Sequence, residues 1–159
     1  MRYLIIFLLL LPSCAKKITW PASVNLQGLN DLEAQGVINT LKDLSQSSKK
    51  ELFYFDGDKS DSLKIVITKM DYAHNSTHLG QATPTGATCL IQLNEVVFQD
   101  SYGSFFVPVL YHEVGHCAGM GHDPKEGEIM YHVGAPKDYY ADAAYQRFFD
   151  QLVDFVNRY

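Results

Sequence analysis

HEVGHCAGMGH, residues 112 to 122, places three histidines, one glutamate and three glycines within eleven positions. Each residue of an α-helix turns by about 100°, so that His112 and His116 would lie one turn apart on the same side. Two imidazoles at that spacing can bind one zinc ion, and Glu113 beside them can reach a water on that ion. The stretch therefore predicts a helix that carries most of a metal site.

Gly119 explains how the third histidine can reach the same ion. Glycine tolerates the left-handed conformation that ends helices, so the chain can leave the helix at Gly119 and bring His122 to the ion from another direction. Three histidine ligands leave the fourth position of a tetrahedral zinc site open for water, as in catalytic sites. The predicted ligands are His112, His116 and His122, and the predicted general base is Glu113.

The same eleven residues resemble the metzincin family of zinc peptidases. All five fixed positions of the metzincin pattern are filled, by His112, Glu113, His116, Gly119 and His122. Met130, eight residues after the last histidine, is similar to the methionine of the turn that passes under the zinc in that family. The short interval and the Met130-Tyr131 pair look most like the matrixin branch.

The resemblance implies both a fold and an activity. The implied fold class is α/β (α+β), a metzincin-like zincin fold with a twisted mixed sheet, an edge strand over the cleft, an active-site helix and a small C-terminal subdomain with one helix. The implied activity is a Zn²⁺-dependent endopeptidase that hydrolyses peptides or proteins, with Glu113 as general base. The alternative is a non-catalytic metzincin-fold lipoprotein that acts as a binding module. The presence of Glu113 favours the enzyme, because a binding module needs no base.

The segment upstream of the motif also resembles metzincins. Residues 78–84 and 89–94, HLGQATP and CLIQLN, are similar to the rim and edge strand above the metzincin cleft. We expect the second of these segments to hold an extended peptide by main-chain hydrogen bonds. The predicted substrate-binding residues are Cys89, Leu90, Ile91, Gln92, Leu93, Asn94 and Tyr131, although Tyr131 could equally pack in the core.

Three further histidines lie outside the motif. His74 and His78 fall where matrixins bind a structural zinc, but a structural site needs four ligands and loop histidines without a ligand role are favoured. We interpret His132 as a surface or wall residue.

The first thirteen residues, MRYLIIFLLLLPS, predict a signal peptide. Their apolar run from Leu4 to Leu11 is too short for a bilayer span of about 20 residues, and it follows a single charge at Arg2. LPSC resembles a bacterial lipobox that ends at Cys14, the predicted lipidation site. We expect an exported monomer anchored to the cell envelope, at the outer membrane if two membranes are present. Residues 14–28 would hold the lipidated cysteine, a tether and the first strand.

Composition limits the remaining choices. The chain has 159 residues, 47% of them hydrophobic, which is enough for one core, and we expect a single catalytic domain over 18–159. The net charge is −5 and no basic run is present, so nucleic acid is not an expected partner. Cys89 and Cys117 would meet oxidising conditions after export and could pair, or remain as two buried thiols.

Hydrophobic periodicity predicts the elements around the motif. We expect an edge strand that stops at Pro21, a helix over 30–47, strands at 51–55, 62–70 and 88–94, and a long loop between the last two. We also expect a helix within 100–118, whose start near Phe106 would put Pro108 in its first turn, and a last helix over 138–157.

Overall fold

One five-stranded mixed sheet and three helices make up the described part of the chain. The computed structural model describes residues 19–55, 57, 62–71, 78–99, 101, 103–132 and 135–158. The predicted signal peptide, Cys14 and His74 lie outside these residues. The strands are β1 (Thr19–Gln27), β2 (Phe53–Tyr54), β3 (Ser62–Met70), β4 (Gly80–Thr85) and β5 (Thr88–Asn94). The helices are α1 (Asp31–Ser47), α2 (Gly103–Cys117) and α3 (Asp142–Asn157).

The sheet has the strand order β2-β1-β3-β5-β4. The first four strands in this order are parallel to their neighbours, and β4 pairs antiparallel with β5. The predicted mixed sheet is therefore confirmed. The expected edge strand is present as β4, but its predicted position at 89–94 is wrong, because β5 has hydrogen-bonded neighbours on both sides.

The core lies between the sheet and the helices. Inward residues of β3 and β5, such as Ile65, Ile67, Ile91 and Leu93, are fully buried, as alternation along a strand requires. The helices contribute the buried residues Val37, Leu41, Leu44, Leu110, Val114, Phe148 and Leu152. Within the described residues, none of the helices combines the length and the apolar character needed to cross a membrane.

Helix α1 begins with a capping box formed by Asn30 and Glu33. The amide of Glu33 donates to the Asn30 side chain at 3.0 Å, and the amide of Asn30 donates to the Glu33 carboxylate at 2.8 Å. These two bonds satisfy amides that a helix start leaves without partners.

Two prolines lie in different places from those predicted. Strand β1 continues past Pro21 to Gln27, because its pairing with β3 shifts register between Thr19 and Ser23, and a proline is tolerated at such an irregularity. Helix α2 begins at Gly103, so Pro108 lies in its second turn rather than its first. Proline there removes only the bond to the carbonyl of Ser104, which lies at the exposed start of the helix.

A disulfide joins the sheet to helix α2. Cys89 in β5 is bonded to Cys117, the last residue of α2, with their Cα atoms 5.6 Å apart. The sequence left this pairing open. The bond holds the C-terminal end of α2 against the middle of the sheet, one residue after His116.

Candidate metal centre

The three predicted ligands lie together in the structure. His112 and His116 project from α2, and the chain turns away two residues after the helix end, at Gly119, whose φ of 91° is in the left-handed region. The chain then brings His122 to the same place. The ring centroids are 4.6 Å, 4.8 Å and 5.3 Å apart, and one ligand nitrogen from each ring lies within 4.8 Å of the others.

The hydrogen bonds of two of these rings define which nitrogen can bind a metal. Nδ1 of His112 donates to the carbonyl of Ile129 at 2.7 Å, and Nδ1 of His116 donates to the carbonyl of Met120 at 2.9 Å. A carbonyl can only accept, so each Nδ1 carries the hydrogen and each Nε2 carries a lone pair. Backbone acceptors orient metal-binding histidines in the same way.

The two Nε2 atoms face each other at 3.0 Å. Two lone pairs at that distance repel unless a proton or a metal cation lies between them. Imidazole nitrogen is a preferred zinc ligand, and the third ring completes a set that leaves a tetrahedral ion one open position. The donor set of this site therefore fits Zn²⁺.

Burial keeps His112 in the neutral form that can bind a cation. Burial lowers the pKa of His112 to about 4, with further lowering by His116 and His122, while the bond to the Ile129 carbonyl opposes it. The neutral imidazole is the form that binds metal, so His112 can serve as a ligand over the whole physiological pH range.

Glu113 lies on the same helix, in contact with strand β4. Only 5% of Glu113 is exposed. Burial raises the pKa of its carboxyl to about 7, and a hydrogen bond from the backbone of Ala82 opposes this rise. A carboxyl with a pKa near neutrality can both take up and release a proton at physiological pH.

The free edge of β4 faces this site. The amide of Asn94 donates to the carbonyl of Leu79 at 2.9 Å, so the Leu79–Asn94 pair is hydrogen-bonded. In an antiparallel ladder, hydrogen-bonded pairs alternate with pairs that are not hydrogen-bonded. The main-chain groups of Gly80, Ala82 and Pro84 therefore point away from β5. The amide of Ala82 accordingly reaches Glu113, and Pro84 stands at a position where the missing amide removes no bond from the sheet.

Met130 packs against the helix between the two ligand turns. A Cβ built on Gly115 would lie 2.5 Å from Sδ of Met130, so a larger residue at this position would displace the Met130 side chain. The carbonyl of Met130 accepts a hydrogen bond from Asp123 at 2.8 Å, and Asp123 forms a bridge with Tyr131. These contacts connect the loop that carries His122 to the turn that contains Met130, which we call the methionine turn.

A cleft of about 470 Å³ surrounds the centre. It is lined by His78, Leu79, Gly80, Gln81, Ala82, Pro108, Val109, His112, Glu113, His116, His122, Ile129, His132 and Tyr140. In the described part of the chain, the three ligand histidines are the only group placed to share a metal ion, and His78 is not part of it.

The predicted substrate residues require a correction. Cys89, Leu90, Ile91, Gln92, Leu93, Asn94 and Tyr131 do not line the cleft. Strand β5 is an interior strand whose main-chain groups are used by β3 and β4, so it cannot add a peptide strand. Asn94 instead supports the rim, since its side-chain amide donates to the carbonyl of His78 at 3.1 Å.

Gly80, Ala82 and Tyr140 line the cleft and were not predicted from the sequence. Strand β4 has the sequence GQATPT, whose glycine and proline are typical of a loop. Its side chains are mostly exposed. One sequence signal could have identified strand β4: segment 78–94 resembles a rim and an edge strand. That resemblance does not show which residues of the segment form the edge.

Comparison with known proteins supports the fold. No family model matches the sequence, and no curated protein matches it. Among solved structures, the chain is similar to archaemetzincin from Methanopyrus kandleri, with a TM-score of 0.59 and 16% sequence identity. The match covers 93% of this chain and 100% of that one. The chain thus has a zincin-like fold of mixed α/β class, and in it three histidines are placed so that they can bind zinc.

Proposed function

We propose that the protein is a zinc-dependent endopeptidase. The observation that carries this proposal is the pair of Nε2 lone pairs of His112 and His116, 3.0 Å apart, with His122 beside them and the carboxyl of Glu113 on the same helix. Three imidazoles supply ligands and leave a position for water, and a buried carboxyl supplies a base. A structural zinc site would use four protein ligands and would need no base.

A zinc ion held there would lower the pKa of its water to about 7 and polarise the scissile carbonyl. Glu113 accepts a proton from the attacking water and passes it to the leaving amine. Its pKa of about 7 suits both transfers at neutral pH. The backbone of Ala82 and the close packing of Gly80 hold the carboxyl in place between the two steps.

The substrate would lie along the free edge of β4. The outward main-chain groups of Gly80 and the carbonyl of Ala82 can pair with an extended peptide, as in β-augmentation, while the amide of Ala82 stays bonded to Glu113. An extended peptide matches a cleft bounded by a strand edge on one side and the methionine turn on the other. The internal bonds of a folded protein would be reached only where a loop fits this cleft.

The branch of the family, the membrane anchor and the domain bounds are part of the same proposal. The eight-residue interval to Met130 and the adjacent Tyr131 support a matrixin-like branch. The lipobox-like LPSC supports anchoring of a monomer to the cell envelope through Cys14, with the catalytic residues 18–159 as one domain. The second candidate is a lipoprotein that uses the same fold as a binding module, and the buried base Glu113 argues against it.

The test measures zinc content and peptide cleavage on the same preparation. Wild type is expected to hold one zinc per chain and to cleave within peptides, and Glu113→Ala to keep zinc and lose hydrolysis. His122→Ala is expected to lose zinc and hydrolysis together. A wild type without stoichiometric zinc would contradict the metal site, and full activity of Glu113→Ala would contradict the assigned base.

A further inference from the structure

His132 is a cleft residue for which the proposed mechanism has no use so far. It lies two residues after Met130 and is exposed, and its ring lines the cleft together with the three ligands and Glu113. The ring centroid lies 6.3 Å from that of His122 and 4.4 Å from that of Tyr131. An imidazole at this position can contact a substrate atom held at the metal site.

Backbone contacts hold His132 in this place. The neighbouring residues Asp123 and Tyr131 form a parallel bridge, and Asp123 donates to the carbonyl of Met130 at 2.8 Å. The bridge holds Asp123, which follows His122, beside Tyr131, which precedes His132. The two histidines are therefore positioned by the same bridge, and the ring of Tyr131 packs beside the ring of His132.

The base and His132 stand on different walls of the cleft. Glu113 is covered by β4, through contacts with Gly80 and Ala82. His132 belongs to the methionine turn and lies next to His122. A peptide along β4 would place the attacking water toward Glu113 and leave its scissile carbonyl oxygen between the ligands and the methionine-turn wall.

We propose that His132 is a catalytic residue that donates a hydrogen bond to the carbonyl oxygen of the scissile peptide as it becomes an oxyanion; this inference rests on the proposed peptidase function. Water oxygen forms a bond to the carbonyl carbon, the carbonyl π pair moves onto its oxygen, and the water proton goes to Glu113. His132 donates a hydrogen bond and keeps its proton, so the proton balance of the step involves only the water and Glu113. A donor aimed at developing charge accelerates acyl transfer.

The test compares wild type with His132→Ala and His132→Gln, with zinc content measured for each. His132→Ala is expected to keep zinc and to lower kcat by about 10²–10³, the usual effect of losing one oxyanion donor, with little change in KM. His132→Gln keeps an N–H donor and should restore part of kcat. Binding gives an independent measurement: affinity for a phosphinic peptide, which imitates the tetrahedral oxyanion, should fall by the same factor as kcat, and affinity for a thiol peptide should not change.

The outcomes separate this inference from the proposed function. Unchanged kcat in His132→Ala, or equal losses of affinity for both inhibitors, would overturn the role of His132 and leave the peptidase intact. Loss of zinc in His132→Ala would also overturn it, since His132 would then hold the metal. A wild type that binds no zinc or cleaves no peptide would contradict both.

Discussion

Gly80 lies so close to Glu113 that no side chain fits between them. A Cβ built on Gly80 would lie 2.8 Å from Oε1 and 3.0 Å from Cγ of Glu113, and 2.7 Å from Cγ1 of Val109. This contact and the bond from Ala82 bury the carboxyl and raise its pKa. Strand β4 therefore has two roles, as the edge that faces the cleft and as the cover of the proposed base.

We expect Gly80→Ala to displace Glu113. Overpacking of this kind costs about 1–3 kcal/mol of stability, and a displaced base should lower kcat at least tenfold while zinc remains bound. Peptide cleavage, zinc content and denaturant unfolding measure the three effects. The matched control is Gly103→Ala, where an added Cβ meets no atom within 4 Å. Equal kcat in the two variants would show that the contact does not position Glu113.

The disulfide is expected to stabilise the fold. The Cys89–Cys117 bond closes 28 residues of chain, which corresponds to about 3–4 kcal/mol in the chain-entropy model. The double variant Cys89→Ala with Cys117→Ala should lose this amount of unfolding free energy in urea. Reduction of the wild type should produce a similar loss without a change in sequence. A loss below about 1 kcal/mol in both experiments would contradict the estimate.

Local signals in the sequence accounted for most elements. The β-branched run at 62–70 and the strand at 88–94 have the predicted bounds, and the Asn30–Glu33 cap marks the start of α1. These signals depend on residues close in sequence. Strand β4 was missed because its pairing with β5, and not its own composition, makes it a strand.

The metal ligands could also be predicted from residues close in sequence, whereas the lining of the cleft could not. Helical spacing and one glycine place His112, His116 and His122 together, so that a single segment encodes the ligands. Gly80 and Tyr140 enter the cleft from distant parts of the chain. Their positions depend on the packing of β4 and of the segment before α3 against α2, which no local pattern records.

Glu128 links the methionine turn to α3. Its buried carboxylate accepts hydrogen bonds from Arg147 at 2.6 Å and 3.0 Å, and from Lys125 at 3.0 Å. The bonds from Arg147 lower the pKa of Glu128 below its ordinary value, although burial opposes this. A lowered pKa adds stability that is complete above the unfolded pKa of about 4.3 and is lost as pH falls through the folded pKa.

We therefore expect Glu128→Gln to lose about 1.5–3 kcal/mol at pH 7, the usual value for hydrogen bonds to a charged group. The difference from wild type should shrink as pH falls below the unfolded pKa of about 4.3 and should be lost once the carboxyl of the folded wild type is protonated. Urea unfolding across this range measures both values. A double-mutant cycle with Arg147→Met isolates the pair, and a coupling energy that does not change with pH would contradict the assignment.

The proposed anchor at Cys14 has a direct test. Cys14→Ala should prevent lipidation and move the protein from the membrane fraction to the soluble fraction, because the acyl chains supply the membrane affinity. Fractionation of cells that express each form, with mass spectrometry of the N-terminus, measures the change. The substitution Ser13→Ala leaves the cysteine in place and serves as the control. Membrane retention of Cys14→Ala would contradict lipid anchoring.

Tyr140 limits the apolar part of the cleft, beside Val109 and Ile129. Only 7% of Tyr140 is exposed, and its hydroxyl accepts a hydrogen bond from the amide of Ala135 at 3.2 Å. We expect Tyr140→Leu to enlarge the pocket and to shift cleavage toward peptides with larger apolar side chains, by about 10–200-fold in relative kcat/KM. Tyr140→Phe keeps the ring and should keep the preference of the wild type. Digestion of a peptide library by the three forms compares them, and the same preference in Tyr140→Leu as in wild type would place the selective pocket elsewhere in the cleft.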